Sequence, residues 1–265
     1  MNTPQMISVT DAVAKVAEAP DLLVALDFDG TLADFSDDPM AVHLREGNPE
    51  AIARLAALKN TAVMLVSGRD LETLRTLSAL GPAVGLVGSH GAEPEGGLQL
   101  TEAQRERLDE VDAAMQQIVD AAAAEGAFLE RKPAHRVVHV RPVQDPARRA
   151  EILAQASDKI QALNDAHHDV PIHSAEGKGM VEATVMEATK GSYLSGFRGA
   201  EGEKTIVFIG DDVTDETVLQ VLQPQDVGIK VGEGDTAATC RVPDTATVTQ
   251  FLEALADARE AALSR

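Results

Sequence analysis

The chain has 265 residues, 44% of them apolar, enough for one large or two modest domains around a buried core. Its 43 Asp and Glu against 23 Lys and Arg give a formal net charge of −20, opposite to the basic footprint that nucleic acid and anionic membranes select, so neither is an expected partner. An anionic small molecule stays open, because a few local cations or a bound metal reverse the potential inside a pocket.

The first residues show no basic segment followed by an apolar one, and no run approaches the ~18 apolar residues that a bilayer crossing needs. Cys240 is the only cysteine. It excludes an intrachain disulfide and, within the β-like "ATCRV", reads as a buried structural thiol. The expected compartment is the reducing cytoplasm, and the expected state is a monomer.

In chain order, "DLLVAL" predicts a strand, "NPEAIARLAALKN" a helix, "TAVMLV" a strand, "DLETLRTLSAL" a helix and "AVGLV" a strand. That alternation predicts βαβ units, and hence a parallel sheet with helices on its faces. The middle differs. Thr101 and Gln104 form a capping-box pattern, Leu108, Val111, Met115, Ile118 and Ala122 recur at helical spacing, and Gly126 closes the helix. Two extended runs follow, "AFLERK" and "RVVHVRPV", then the helix "PARRAEILAQASDKIQAL", then extended chain in "DVPIHSAEGKGMVEATVM". The last seventy residues return to the first pattern with "KTIVFI", a helix from near Asp215, "DVGIKV", "AATCRV" and the helix "TVTQFLEALADAREAAL". The prediction is an α/β protein: a Rossmann-like parallel-sheet core of residues 1–97 and 189–265, with an α+β unit of residues 98–188 inserted into it.

Open parallel sheets bind ligands beyond the carboxyl ends of their strands. "LDFDGTL" puts Asp27 and Asp29 there, two carboxylates where one would end a strand. "MLVSGRD" ends a second strand with Ser67, Gly68 and Arg69, a hydroxyl and backbone N–H groups at an expected helix start, which makes an anion seat. "VFIGDDVTDE" ends a third with Asp211, Asp212, Asp215 and Glu216. So many acids at one sheet edge repel and call for a cation, and all-oxygen ligation suits Mg²⁺. Lys190, in "EATKGSY" at an expected helix start, offers positive charge for a phosphate and an aspartate to share.

The order DxDGT, SGR, helix-starting Lys-Gly and GDDxTDE resembles the haloacid-dehalogenase-like phosphatases across nearly the whole chain. Within them "LDFDGTL", "SGRD", "GSHGAE" and "GDDVTDE" resemble the trehalose-6-phosphate phosphatases, and "LERKPAHRVVHVR" resembles that family's cap segment, with Glu130 and Lys132 followed by His139 and Arg141. The resemblance implies Mg²⁺-dependent hydrolysis of a sugar phosphate under a mobile cap. It implies Asp27 as nucleophile through an aspartyl-phosphate and Asp29 as general acid and base. Ser67 and Lys190 would hold phosphoryl oxygens, and Asp27, the Asp29 carbonyl and Asp211 would bind metal, with Asp212 and Asp215 behind them. Arg69, His90, Glu130, Lys132, Arg141 and Glu182 are the implied substrate contacts. One departure touches the cap: the family's Glu-Val-Arg-Pro reads "EATV" from Glu182, leaving Thr184 and Val185 at the Arg-Pro positions. Two alternatives stand beside trehalose 6-phosphate hydrolysis. One is a phosphatase for sucrose phosphate or a glucosyl- or mannosyl-phosphoglycerate; the other is a phosphosugar-binding regulator without turnover.

Overall fold

A computed structural model describes residues 6–36, 38, 40–97, 100–166, 169–177, 179–186, 189–201 and 204–264. The chain divides into two compact units, Met1–Gly97 with Ala188–Arg265, and Leu98–Glu187. The sequence-based junctions at residues 98 and 188 lie outside the described residues.

The first unit contains α1 (Val9–Ala17), β1 (Leu22–Leu26), α2 (Asn48–Ala57), β2 (Thr61–Val66), α3 (Leu71–Ser78), β3 (Val84–Gly88) and β4 (Glu93–Pro94). The second contains α4 (Glu102–Ala122), β5 (Phe128–Lys132), β6 (His135–His139), α5 (Pro146–Ala166), β7 (His173–Gly177) and β8 (Met180–Thr184). The chain then re-enters the first unit with α6 (Lys190–Glu201), β9 (Thr205–Gly210), α7 (Glu216–Leu219), β10 (Val227–Val231), β11 (Cys240–Val242) and α8 (Thr245–Leu263).

In the first unit the strands lie in the order β11-β10-β9-β1-β2-β3-β4. All pairings are parallel except β3 with β4. The expected parallel sheet carries one antiparallel addition at its edge, where Pro94, which has no N–H for a further ladder, sits in a two-residue strand. Helix α1 is a second addition. Ser8 caps it, accepting from the Asp11 N–H, and Ala12, Val13, Val16 and Ala17 are buried.

Strand β1 is apolar and buried along its whole length because both faces are covered. Leu22, Val24 and Leu26 join a cluster with Phe251, Leu252 and Leu255 of α8, while Leu23 and Ala25 join Leu194, Val218 and Leu219 on the other face. Each such aliphatic side chain contributes about 1.5–3 kcal/mol by leaving water, which gives the strand carrying Asp27 a rigid seat. From β1 the chain proceeds to β2 and β3 on one side, then returns to β9 on the other. Leu26 pairs with Leu65 in β2 and Ile209 in β9, so the three strand ends are level. The loops after β1 and β9 part at the point where the winding reverses, the usual ligand crevice of such sheets.

The second unit is an antiparallel sheet, β5-β6-β8-β7, with α4 and α5 packed on one face. Leu129, Val138, Val181 and Ala183 meet Val111, Met115, Ile152 and Ala156 there. Thr101 and Gln104 form the expected capping box of α4, and Gly126 takes a left-handed φ of 100° after it. Side chains alternate across a strand, so Phe128, Glu130, Lys132, His135, Val137, His139, Met180 and Glu182 share the opposite face. Among the described residues no helix is long and apolar enough to cross a membrane.

Candidate active site

Asp27, Asp29, Ser67, Gly68, Arg69, His90, Lys190, Asp211 and Asp212 line one cleft of about 610 Å³ in the first unit. Asp27 follows the buried end of β1 and is itself 5% exposed. Lys190, the first residue of α6 and 2% exposed, reaches Asp27 Oδ1 at 2.5 Å and Asp215 Oδ1 at 2.8 Å. Asp215 accepts on its other oxygen from the backbone N–H groups of Asp211 and Asp212, both at 2.9 Å. It thereby shapes the loop after β9. Two glycines permit the approach: a Cβ on Gly30, whose φ is +74°, would lie 2.3 Å from Asp211 Oδ2, and one on Gly210 would lie 2.3 Å from the Asp215 carboxyl carbon.

Charge is unbalanced at this point. Asp27, Asp211 and Asp215 offer carboxylate oxygens all within 4.8 Å of one another, with Lys190 the ammonium that binds two of them. Burial pushes the Asp27 carboxyl well above its ordinary value, against the pull of Lys190, and the nearby Asp215 adds to the rise. Asp211 is raised too, by burial first and then by Asp215. Burial disfavours the Lys190 ammonium, but Asp27 and Asp215 hold its proton more firmly than usual. Asp211 Oδ1 is buried without a protein partner among the described residues. Three carboxylates around one lysine, with an orphaned oxygen among them, fit a hard divalent cation.

The three acids in this cluster are Asp27, Asp211 and Asp215; the sequence-based metal set was Asp27, Asp211 and the backbone carbonyl of Asp29. Both oxygens of Asp215 are engaged by Lys190 and backbone N–H groups, which keeps it in a supporting place. The Asp29 carboxylate is directed elsewhere: Arg69 Nε and the Arg69 terminal Nη2 each donate to it at 2.7 Å, a fork-on-fork pair. Arg69 also lies over the Phe28 ring at 5.7 Å.

Ser67 is buried but does not start the next helix. That helix begins at Leu71, capped by Asp70, which accepts from the Thr73 N–H. The expected anion seat is thus the loop of residues 67–69 rather than a helix terminus. Ser67 Oγ accepts from the Arg69 N–H at 3.2 Å. His90 takes a left-handed φ of 55° and its ring covers Gly68, where a Cβ would lie 2.6 Å from Cε1. Burial, then the charge of Lys190, lowers its pKa.

In the second unit Glu130, Lys132 and Glu182 lie on the sheet face opposite the helices, as the β5–β6–β8 register requires. Lys132 Nζ is 3.9 Å from Glu182. Arg141 lies past the end of β6 and lines a separate cleft with Arg149 and Gly179. Two neighbours on the sheet face went unassigned in the sequence analysis: His139, which bonds Glu130, and His135, 3.0 Å from Glu182. In the first unit the overlooked residues are Phe35 and Thr214, which line the cleft, and Lys230, a buried cation donating to the Asp211 carbonyl. A lone lysine inside the apolar "VGIKV" was the available signal for the last.

The sequence model of the trehalose-phosphatase family matches residues 25–251. An uncharacterized glycosyl hydrolase of Mycobacterium tuberculosis is 32% identical over 276 aligned positions, covering 97% of this chain and 20% of its own length. The chain therefore spans about a fifth of that relative. The trehalose-phosphate phosphatase of Mycobacterium tuberculosis is 29% identical, covering 97% of this chain and 71% of that protein. Aspergillus fumigatus trehalose-6-phosphate phosphatase shares the fold, with a TM-score of 0.69 over 97% of this chain and 99% of that one at 23% identity. With the family match running through most of its length, from β1 into α8, the chain belongs to the trehalose-phosphatase family.

Proposed function

We propose that this chain hydrolyses trehalose 6-phosphate to trehalose and phosphate through an aspartyl-phosphate, with Mg²⁺ as cofactor. The observation that carries the reading is the buried Asp27 at a strand end, held by Lys190 and facing the unpartnered oxygen of Asp211. Asp27, Asp211 and the Asp29 backbone carbonyl are the proposed Mg²⁺ ligands, and the ion would offset charge spread over the phosphoryl oxygens.

The side chains take the remaining roles. Asp27 attacks phosphorus in line as the bond to the sugar oxygen breaks. Asp29 gives that leaving oxygen a proton, then removes one from the water that attacks the aspartyl-phosphate and releases phosphate. Ser67 and Lys190 hold phosphoryl oxygens, with Arg69 and His90 on the substrate side of the cleft. Asp215 fixes Lys190 and the loop bearing Asp211 and Asp212. The second unit acts as the cap, and Glu130, Lys132, Arg141 and Glu182 read the sugar hydroxyls. The partner in this reading is a small sugar phosphate, rather than nucleic acid or a membrane, and the protein a cytoplasmic monomer; the net charge of −20 and the buried Cys240 support it.

The test is phosphate release from trehalose 6-phosphate, sucrose 6-phosphate, a glucosyl- and a mannosyl-phosphoglycerate and p-nitrophenyl phosphate, each with and without Mg²⁺. Highest kcat/KM on trehalose 6-phosphate, dependent on Mg²⁺, is expected. Preference for another ester overturns the substrate assignment, and no release from any ester overturns the enzyme.

A further inference from the structure

Carboxylates on an exposed strand face swing about several bonds, and reading a sugar hydroxyl requires that they be held. The face of the second unit's sheet away from α4 and α5 holds one of them in this way. On β5, Glu130 Oε2 accepts from His139 Nε2 at 2.7 Å; a carboxylate only accepts, so the ring carries its proton on Nε2. The His139 ring stacks on Phe128, with centroids 4.6 Å apart and planes 17° apart, which fixes the plane from which that proton is offered. On β8, Glu182 Oε1 lies 3.0 Å from His135 Nδ1, but that nitrogen is buried without a hydrogen-bond partner among the described residues. Glu130 and Glu182 both pair with Val137, and the two histidines sit two residues to either side of it on the same face, but only His139 bonds its glutamate.

Ion pairs on half-exposed faces add little to stability, commonly 0–1 kcal/mol, so the arrangement is poorly accounted for as a brace. It does constrain geometry. With Oε2 of Glu130 taken by His139, its second oxygen is turned to a defined direction and remains an acceptor for a hydroxyl hydrogen.

We propose that His139 is a positioning residue that sets the orientation of Glu130 and so helps determine which sugar the enzyme selects. The inference rests on the trehalose 6-phosphate reading above. It extends that reading to a residue that does not itself touch the phosphoryl group.

Substitutions that keep or delete the relevant N–H test it on the full chain. His139→Gln keeps a donor near the Nε2 position and His139→Leu removes it. Steady-state kinetics are measured on the sugar phosphate that the wild type prefers and on p-nitrophenyl phosphate, which has no sugar. The leucine variant is expected to lower kcat/KM on the sugar phosphate about tenfold, mainly through KM, with p-nitrophenyl phosphate changed less than twofold. The glutamine variant should recover most of the loss. Equal losses on both esters overturn the proposal, as does a leucine variant within twofold of wild type on the sugar ester. If the wild type prefers another sugar phosphate, the substrate reading fails while the same comparison on that ester still decides the role of His139.

Discussion

Two polar assemblies stand out in this protein, and they are built on opposite principles. Around Lys190 the charges are buried: Asp27, Asp215 and Lys190 are each no more than 5% exposed, and their interactions are strong because water is absent. On the sheet face of the second unit the charges are half in water, with Glu130 and Lys132 side chains 43% and 45% exposed, and each contact is weak alone. A buried cluster suits one reaction performed on every substrate, since its energy depends on fixed charge. A wet face of paired side chains suits discrimination, since hydroxyl recognition depends on direction and on which partners are left unmade.

The sharpest way to break the contrast is to remove the nucleophile. Asp27→Asn keeps the shape and discards the charge, and turnover should fall ~10⁴-fold or more while the melting temperature holds or rises, because the cost of burying that charge is removed. Stopped assays and thermal melts on one preparation check both halves; appreciable residual turnover in the folded variant would remove Asp27 from that role.

Removing divalent metal comes next. Exhaustive chelation is expected to depress phosphate release at least ~100-fold, and added Mg²⁺ to restore it. Retained activity after chelation contradicts the reading of the orphaned Asp211 oxygen as a ligand. In the same cluster, Lys190→Met leaves Asp27 and Asp215 buried without their shared cation, a change that costs about 3–5 kcal/mol in comparable pairs, readable as a large drop in denaturation midpoint.

On the sheet face the effects should be smaller and selective. Glu130→Ala or Glu182→Ala strands hydroxyls of the bound sugar at about 1–3 kcal/mol each, roughly tenfold to a hundredfold in kcat/KM on trehalose 6-phosphate. Activity on p-nitrophenyl phosphate should be nearly unchanged. Matching losses on the two esters would place these glutamates with the fold or the chemistry.

The smallest effect belongs to a cluster of one aspartate and two arginines within the second unit. Asp112 accepts from Arg131 at 2.7 Å and from Arg136, and these bonds, Arg131's first, hold its carboxyl below the usual 3.8. A carboxyl whose pKa is lower in the folded state stabilises above its unfolded pKa, and that contribution is lost as pH falls through the folded value. Asp112→Asn should therefore cost about 1 kcal/mol at pH 7 and converge on wild type in melts taken progressively below pH 3.8. A constant gap at every pH would mean that Asp112 acts by shape rather than charge.

Much of this was present in the sequence alone. Runs such as "LLVAL" and "TIVFIG" are apolar throughout because both sheet faces are covered, and the residues following them, Asp27 and Asp211, fall in the crevice for the same reason. The capping box at Thr101 and the heptad-like spacing of α4 are local too, and short-range physics suffices to read them. What escaped depends on neighbours distant in sequence. Asp29 and Arg69 are 40 residues apart, and Asp211 and Lys230 19. Nothing near Asp29 announces that its carboxylate turns to Arg69. A side chain's partner follows from strand order and register, and those are set by how the apolar faces of the whole chain find cover. Local pattern determines which residues reach a strand end or a sheet face; only the tertiary fold decides which of them meet.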